Sequence, residues 1–70
     1  LAPRVVDTVF EALGVLNRKG VTILLVEQNV TKTLQVVDRG YVLERGRIVI
    51  EGSREELSRN EHIRKIYLGV

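Results

Sequence analysis

The chain has 70 residues, 44% of them hydrophobic and 29% charged, and its 11 basic and 9 acidic residues leave a formal charge of +2. It has no cysteine and one histidine, His62, which excludes a disulfide framework, a thiolate metal site and a histidine-built zinc site. Arg18, Lys19 and the group Arg54, Arg59, Arg64 and Lys65 all lie close to carboxylates, so they read as solvated helix faces and not as a nucleic-acid footprint.

A chain of this length buries only about 60% of the surface it exposes when unfolded, the lower edge for one core. The longest unbroken apolar run, residues 23–26, is far short of the roughly 20 residues of a membrane span. Any membrane association is therefore expected to come through a partner. No methionine occurs anywhere, and Leu1 is a poor site for removal of an initiator. The chain is thus expected to be a piece of a longer protein.

Pro3 suits the first turn of a helix. Behind it Val5, Val6, Val9, Phe10, Leu13 and Leu16 recur at helical spacing, which predicts an amphipathic helix of about 15 residues, closed by Gly20. Residues 21–26, VTILLV, are β-branched, apolar and barely alternating. That pattern predicts a strand covered on both faces in a parallel sheet. The polar cluster Glu27-Gln28-Asn29 ends it. Val30, Leu34 and Val37 mark a short helix, capped by Asn29 or Thr31 and closed by Gly40. Residues 41–44 and 47–51 read as two strands of a hairpin across Arg45-Gly46. Ser53 and Glu56 form the Ser-x-x-Glu capping box of another helix, and Asn60 can cap a last one, with Ile63, Ile66 and Tyr67 on one face.

The order helix, strand, helix, hairpin, helix, helix, with no repeat or linker, makes residues 1–70 one piece of an α/β protein. The strand lacks parallel neighbours, and an open apolar edge of that kind invites association. Self-association through this edge is expected of the isolated chain.

Residues 21–29, followed by Asp38-Arg39-Gly40-Tyr41-Val42-Leu43-Glu44-Arg45-Gly46-Arg47-Ile48-Val49, resemble the end of an ABC-type nucleotide-binding domain. In that family a buried strand ends in the switch loop. A helix, an Asp-Arg and a Val-Leu-x-x-Gly-x-Ile hairpin follow. A later Gly and Glu-Leu are matched here by Gly52 and Glu56-Leu57. Leu1-Ala2-Pro3 resembles the exit of the D-loop, just past the catalytic glutamate, although many members have an aspartate where Leu1 falls. Leu25-Val26-Glu27-Gln28-Asn29 and Ile66-Tyr67-Leu68-Gly69 look like the ATPase subunits of branched-chain amino acid importers.

The resemblance implies the C-terminal part of a P-loop NTPase-type domain. It implies a parent that binds ATP and Mg2+ between two head-to-tail ATPase subunits and drives import through transmembrane permease subunits. Such a parent sits in the cytoplasm, peripheral on the inner face of the cell membrane. Gln28 falls at the switch position that contacts the γ-phosphate, where most members have histidine. A glutamine amide donates a hydrogen bond but carries no proton charge near pH 7, so its role would be positional. Leu1 and Ala2 would be the D-loop exit.

Each candidate has a plainer alternative. Gln28 could simply cap the following helix. Glu27 reads as loop structure rather than a base. Asp38 and Arg39 read as a helix terminus, His62 as a solvated surface residue, and Tyr41 and Tyr67 as partly buried anchors. No phosphate-binding loop, signature Ser-Gly-Gly-Gln or Walker B aspartate is present. No catalytic or metal-binding residue is therefore assigned within the chain, and by itself it is expected to be inactive. The rival readings are a small stand-alone module that dimerises through residues 21–26, and a nucleic-acid binder, which the scattered and compensated charges disfavour.

Overall fold

The apolar spacing behind Pro3 folds as α1, Pro3–Arg18, with the proline in the first turn. The Ala2 carbonyl accepts from the amides of Val5 and Val6 at 3.0 and 3.1 Å. At the far end Gly20 has φ +94, its amide bonds Asn17 O, and Val21 N bonds Leu16 O. This paired closure is the Schellman motif, in which a left-handed glycine lets the chain turn back on the last carbonyls. Phe10 alone of the α1 side chains is buried, and Val5, Val9, Val15 and Leu16 stay exposed. The computed structural model describes residues 2–70.

Residues 21–26 correct the sequence expectation. They form no strand, and their apolar side chains are not covered on both faces: Leu24 is 91% and Val26 89% exposed, while Ile23 and Leu25 are half-buried. The alternation is the two-residue period of an extended chain. The physical reason is the lack of a ladder partner. Among the described residues the strands are β1, Arg39–Glu44, and β2, Arg47–Ser53, and they pair antiparallel with each other.

The short α2, Val30–Leu34, begins at Asn29, whose Oδ1 accepts from Lys32 N at 3.1 Å. It does not run on to Gly40. Arg39 and Gly40 are strand residues, so the helix-terminus reading of Asp38-Arg39 and the closing role of Gly40 both fail. Gly40 stands opposite Gly52 in the ladder, and a Cβ on it would lie 2.8 Å from Leu57 Cδ1. Its lack of a side chain serves close packing, not a helix stop.

The hairpin extends two residues beyond the expected strands at its open end, from Arg39 to Ser53. Its tip has positive φ at both Arg45 (53°) and Gly46 (75°), as two-residue type I′ turns require. Val42 pairs with Ile50 but Leu43 with Ile48, so Val49 is an extra residue at a bulge.

The capping box forms as read. Glu56 N donates to Ser53 Oγ at 3.1 Å and Ser53 N to Glu56 Oε1 at 2.9 Å, opening α3, Arg54–Arg59. The Ser53 backbone amide, and after it the Ser53 side chain, hold the Glu56 carboxyl below the usual carboxylate range. Asn60 Oδ1 accepts from Ile63 N at 3.0 Å and caps α4, Glu61–Ile63. A π-helical turn, Arg64–Leu68, follows and ends in left-handed Gly69. Asn60→Ala removes this acceptor and is expected to cost about 1 kcal/mol. A urea denaturation midpoint lowered by that amount, with an unchanged slope, checks it.

Phe10, Leu57 and Ile63 are the buried hydrophobic residues among those described. Ile63 has no exposed surface at all. An apolar groove of about 760 Å³ runs between residues 23–26 and the hairpin, bordered by Val42, Ile48 and Tyr67.

Candidate functional site

The loop between the extended segment and α2 is organised by its two outer residues. Glu27 Oε1 accepts from Asn29 N at 3.1 Å, and Asn29 in turn caps α2. Gln28 lies between them at a bend, exposed, and borders the groove. The helix cap is supplied by Asn29, so the capping alternative for Gln28 does not hold. Glu27 spends its carboxylate within the loop, in line with its reading as loop structure. Lys32, one turn into α2, pairs with Asp7 of α1 and thereby ties the loop's supporting helix to the long one.

Ala2 is exposed at the start of α1, in extended backbone with φ −61 and ψ 144. Leu1 lies outside the described residues. No hydrogen bond among the described residues joins Ala2 to Gln28, and the groove that Gln28 borders does not reach Ala2.

Asp38 and Arg39 do not act as a pair. The Asp38 carbonyl accepts from Arg54 N at 3.1 Å, fastening α3 to the hairpin. The Arg39 guanidinium reaches Glu51 at 3.4 Å and stands 5.9 Å from the centroid of the Tyr41 ring. Tyr41 first, and Glu51 after it, push the Arg39 pKa upward. Tyr41 is exposed, not the partly buried anchor the sequence suggested.

Sequence reasoning missed one cluster. Tyr67 and His62 both meet Glu44, His62 from the exposed position the sequence suggested. The partners are 18 and 23 residues from Glu44, with no motif to link them. The Tyr67 hydroxyl first, then His62, hold the Glu44 carboxyl below its usual range, and Glu44 pushes the Tyr67 phenol up.

Among the described residues no group of three or more His, Cys, Asp or Glu could hold a metal ion. Nor is any described helix long and apolar enough to cross a membrane. Towards a nucleotide the residues here fit only one contact: the exposed Gln28 amide can donate to a phosphate oxygen. No lysine is among the described residues that border the groove beside it.

An α/β chain with an exposed amide after an extended apolar segment is consistent with part of an ABC transporter ATP-binding protein, and known proteins of that class are what it matches. No protein-family model matches it. It is 46% identical over 69 residues to the high-affinity branched-chain amino acid transport ATP-binding protein BraG of Pseudomonas aeruginosa, covering 99% of this chain and 30% of that protein. It is 35% identical over 71 positions to the probable branched-chain amino acid transport ATP-binding protein LivF of Archaeoglobus fulgidus, covering all of this chain and 30% of that protein. It is 33% identical over 54 residues to the lipopolysaccharide export system ATP-binding protein LptB of Escherichia coli, covering 77% of this chain and 22% of that protein. The chain therefore resembles, over its whole length, part of a branched-chain amino acid transport ATP-binding protein.

Proposed function

We propose that residues 1–70 form one unit within an ABC-type ATP-binding subunit that powers import of branched-chain amino acids. The observation that carries this reading is the 46% identity to BraG across 99% of the chain. The weaker and shorter match to LptB is why the cargo is read from the branched-chain proteins. In this reading a second ATPase subunit and transmembrane permease subunits are the partners. The parent lies on the inner face of the cell membrane and binds ATP with Mg2+. This stretch supplies Gln28 as a donor to the terminal phosphate, with Leu1 and Ala2 leaving the D-loop. The 70 residues alone neither bind ATP tightly nor hydrolyse it, because phosphoryl transfer needs a phosphate cradle and a metal held by other residues.

The coding sequence upstream of Leu1 tests the parent. An apolar strand followed by Asp-Glu, with a phosphate-binding loop well before it, is expected, and an unrelated sequence there sinks the reading. Gln28 is tested by turnover in that parent. Gln28→Ala removes one donor to a charged oxygen, about 1.5–3 kcal/mol, and is expected to lower the ATPase rate about 10- to 150-fold. Gln28→His puts a titrating group at the same place, so the rate profile should gain an inflection within about one unit of pH 6.5. Unchanged rates in Gln28→Ala would remove this residue from the site.

A second reading rests on the exposure of Leu24 and Val26: a stand-alone module that self-associates through residues 21–26. A start codon immediately upstream of Leu1 and a dimer in light scattering would favour it.

A further inference from the structure

Two side chains converge on one oxygen at the end of the hairpin. The Tyr67 hydroxyl donates to Glu44 Oε2 at 2.6 Å, and His62 Nε2 lies 2.9 Å from the same atom. The two rings meet edge to face with centroids 6.3 Å apart. Glu44 is the last residue of β1, whereas His62 belongs to α4 and Tyr67 to the π-helical turn. The carboxylate is thus a polar link between the hairpin tip and the end of the chain.

The backbone of that end falls into an anchored part and an exposed part. Asn60, with φ −68 and ψ 126, is an extended residue that separates α3 from α4 and is hydrogen-bonded to both. Ile63, buried three residues on, anchors the near part. Beyond it Ile66 is exposed, and the π-helical turn departs from the tighter α-helical bonding pattern. Tyr67 is the distal residue that reaches back, and both it and Ile63 border the apolar groove.

We propose that Glu44, His62 and Tyr67 form a latch that holds residues 64–70 over one end of the apolar groove, and that this segment swings away beyond Ile63 when the latch is broken. The other charged groups around it are Arg45 beside Glu44, Arg47 opposite it in the ladder, Arg64, and Glu61 with Lys65, which face each other at 3.9 Å. None of these replaces the carboxylate as the acceptor shared by the two rings. The latch also responds to acid. Folding lowers the Glu44 pKa, so its contribution is complete above the ordinary glutamate range and is lost as pH falls through the depressed value.

Backbone hydrogen exchange, followed by mass spectrometry on the protein that carries this chain, tests the latch. Tyr67→Phe keeps the ring and removes only the donor. It should speed exchange of residues 64–70 by roughly threefold to tenfold while α1 and α3 are unchanged. Glu44→Ala removes the shared acceptor and should give at least as large a change, and the double variant no more than Glu44→Ala alone, because Tyr67 acts through that acceptor. In the unaltered protein the same amides should lose protection in acid, after correction for the intrinsic rate, and in Tyr67→Phe this loss should flatten. Unchanged exchange in both variants, equal acceleration along the whole chain, or additive effects would each overturn the proposal.

Discussion

Ile63→Ala is expected to destabilise the fold by about 2–5 kcal/mol, the largest effect of any single truncation in the chain. The reason is scarcity. Phe10, Leu57 and Ile63 are the buried hydrophobic residues among those described, and only Ile63 is wholly enclosed. Removing three carbons there forfeits their burial and leaves a void between α4, α3 and the π-helical turn. A large core would relax around such a void, but three residues cannot. Ile63→Val removes one carbon and should cost about 0.5–1.5 kcal/mol. Equilibrium urea unfolding of the two variants gives both numbers. Equal and small losses would mean that Ile63 is not the pivot of the core.

Gly40→Val should also destabilise, by about 1–3 kcal/mol, although valine is the better strand former. A Cβ at position 40 would sit 2.8 Å from Leu57 Cδ1, far inside van der Waals contact. Leu57 is itself buried and is held by the α3 helix that the capping box starts, so it has little room to retreat. The new side chain therefore pushes α3 away from the hairpin. Gly40→Ala combined with Leu57→Ala gives the sharper measurement. If the clash is the cause, the pair should cost less than the sum of the two single changes. Strict additivity would place the cost in the backbone of β1 instead.

The elements legible from the sequence were those whose cause is local. Pro3 and Gly20 bound α1, Ser53 and Glu56 reach one another across a single turn, and Asn60 meets Ile63 at the same spacing. Gly40 was misread because glycine signals two things, a helix stop and a close approach, and only Leu57 decides between them. Residues 21–26 have the composition of a covered strand, but a strand is a property of a pair. No described residue offers the second ladder. The Glu44 cluster was invisible since its members lie far apart in sequence and carry no shared pattern. Of the candidate site, the position of Gln28 in an exposed loop followed from the polar break after the apolar run. Its proposed role came from resemblance, because a glutamine side chain by itself says nothing of what it will bind.

The bulge at Val49 has a consequence for how this hairpin tolerates change in length. A regular ladder could slide by two residues and keep every side chain on its own face. Here the positive-φ pair Arg45-Gly46 fixes the tip, and the unpaired Val49 absorbs the mismatch between the two arms. Deleting Val49 would leave a regular ladder with the same partners, Val42 with Ile50 and Gly40 with Gly52, and would remove only the bend and added twist of the bulge. Two residues added at the tip would leave the arms beyond it in phase. Surviving insertions in this region should thus gather at Arg45-Gly46, and surviving single-residue deletions in β2 at Val49.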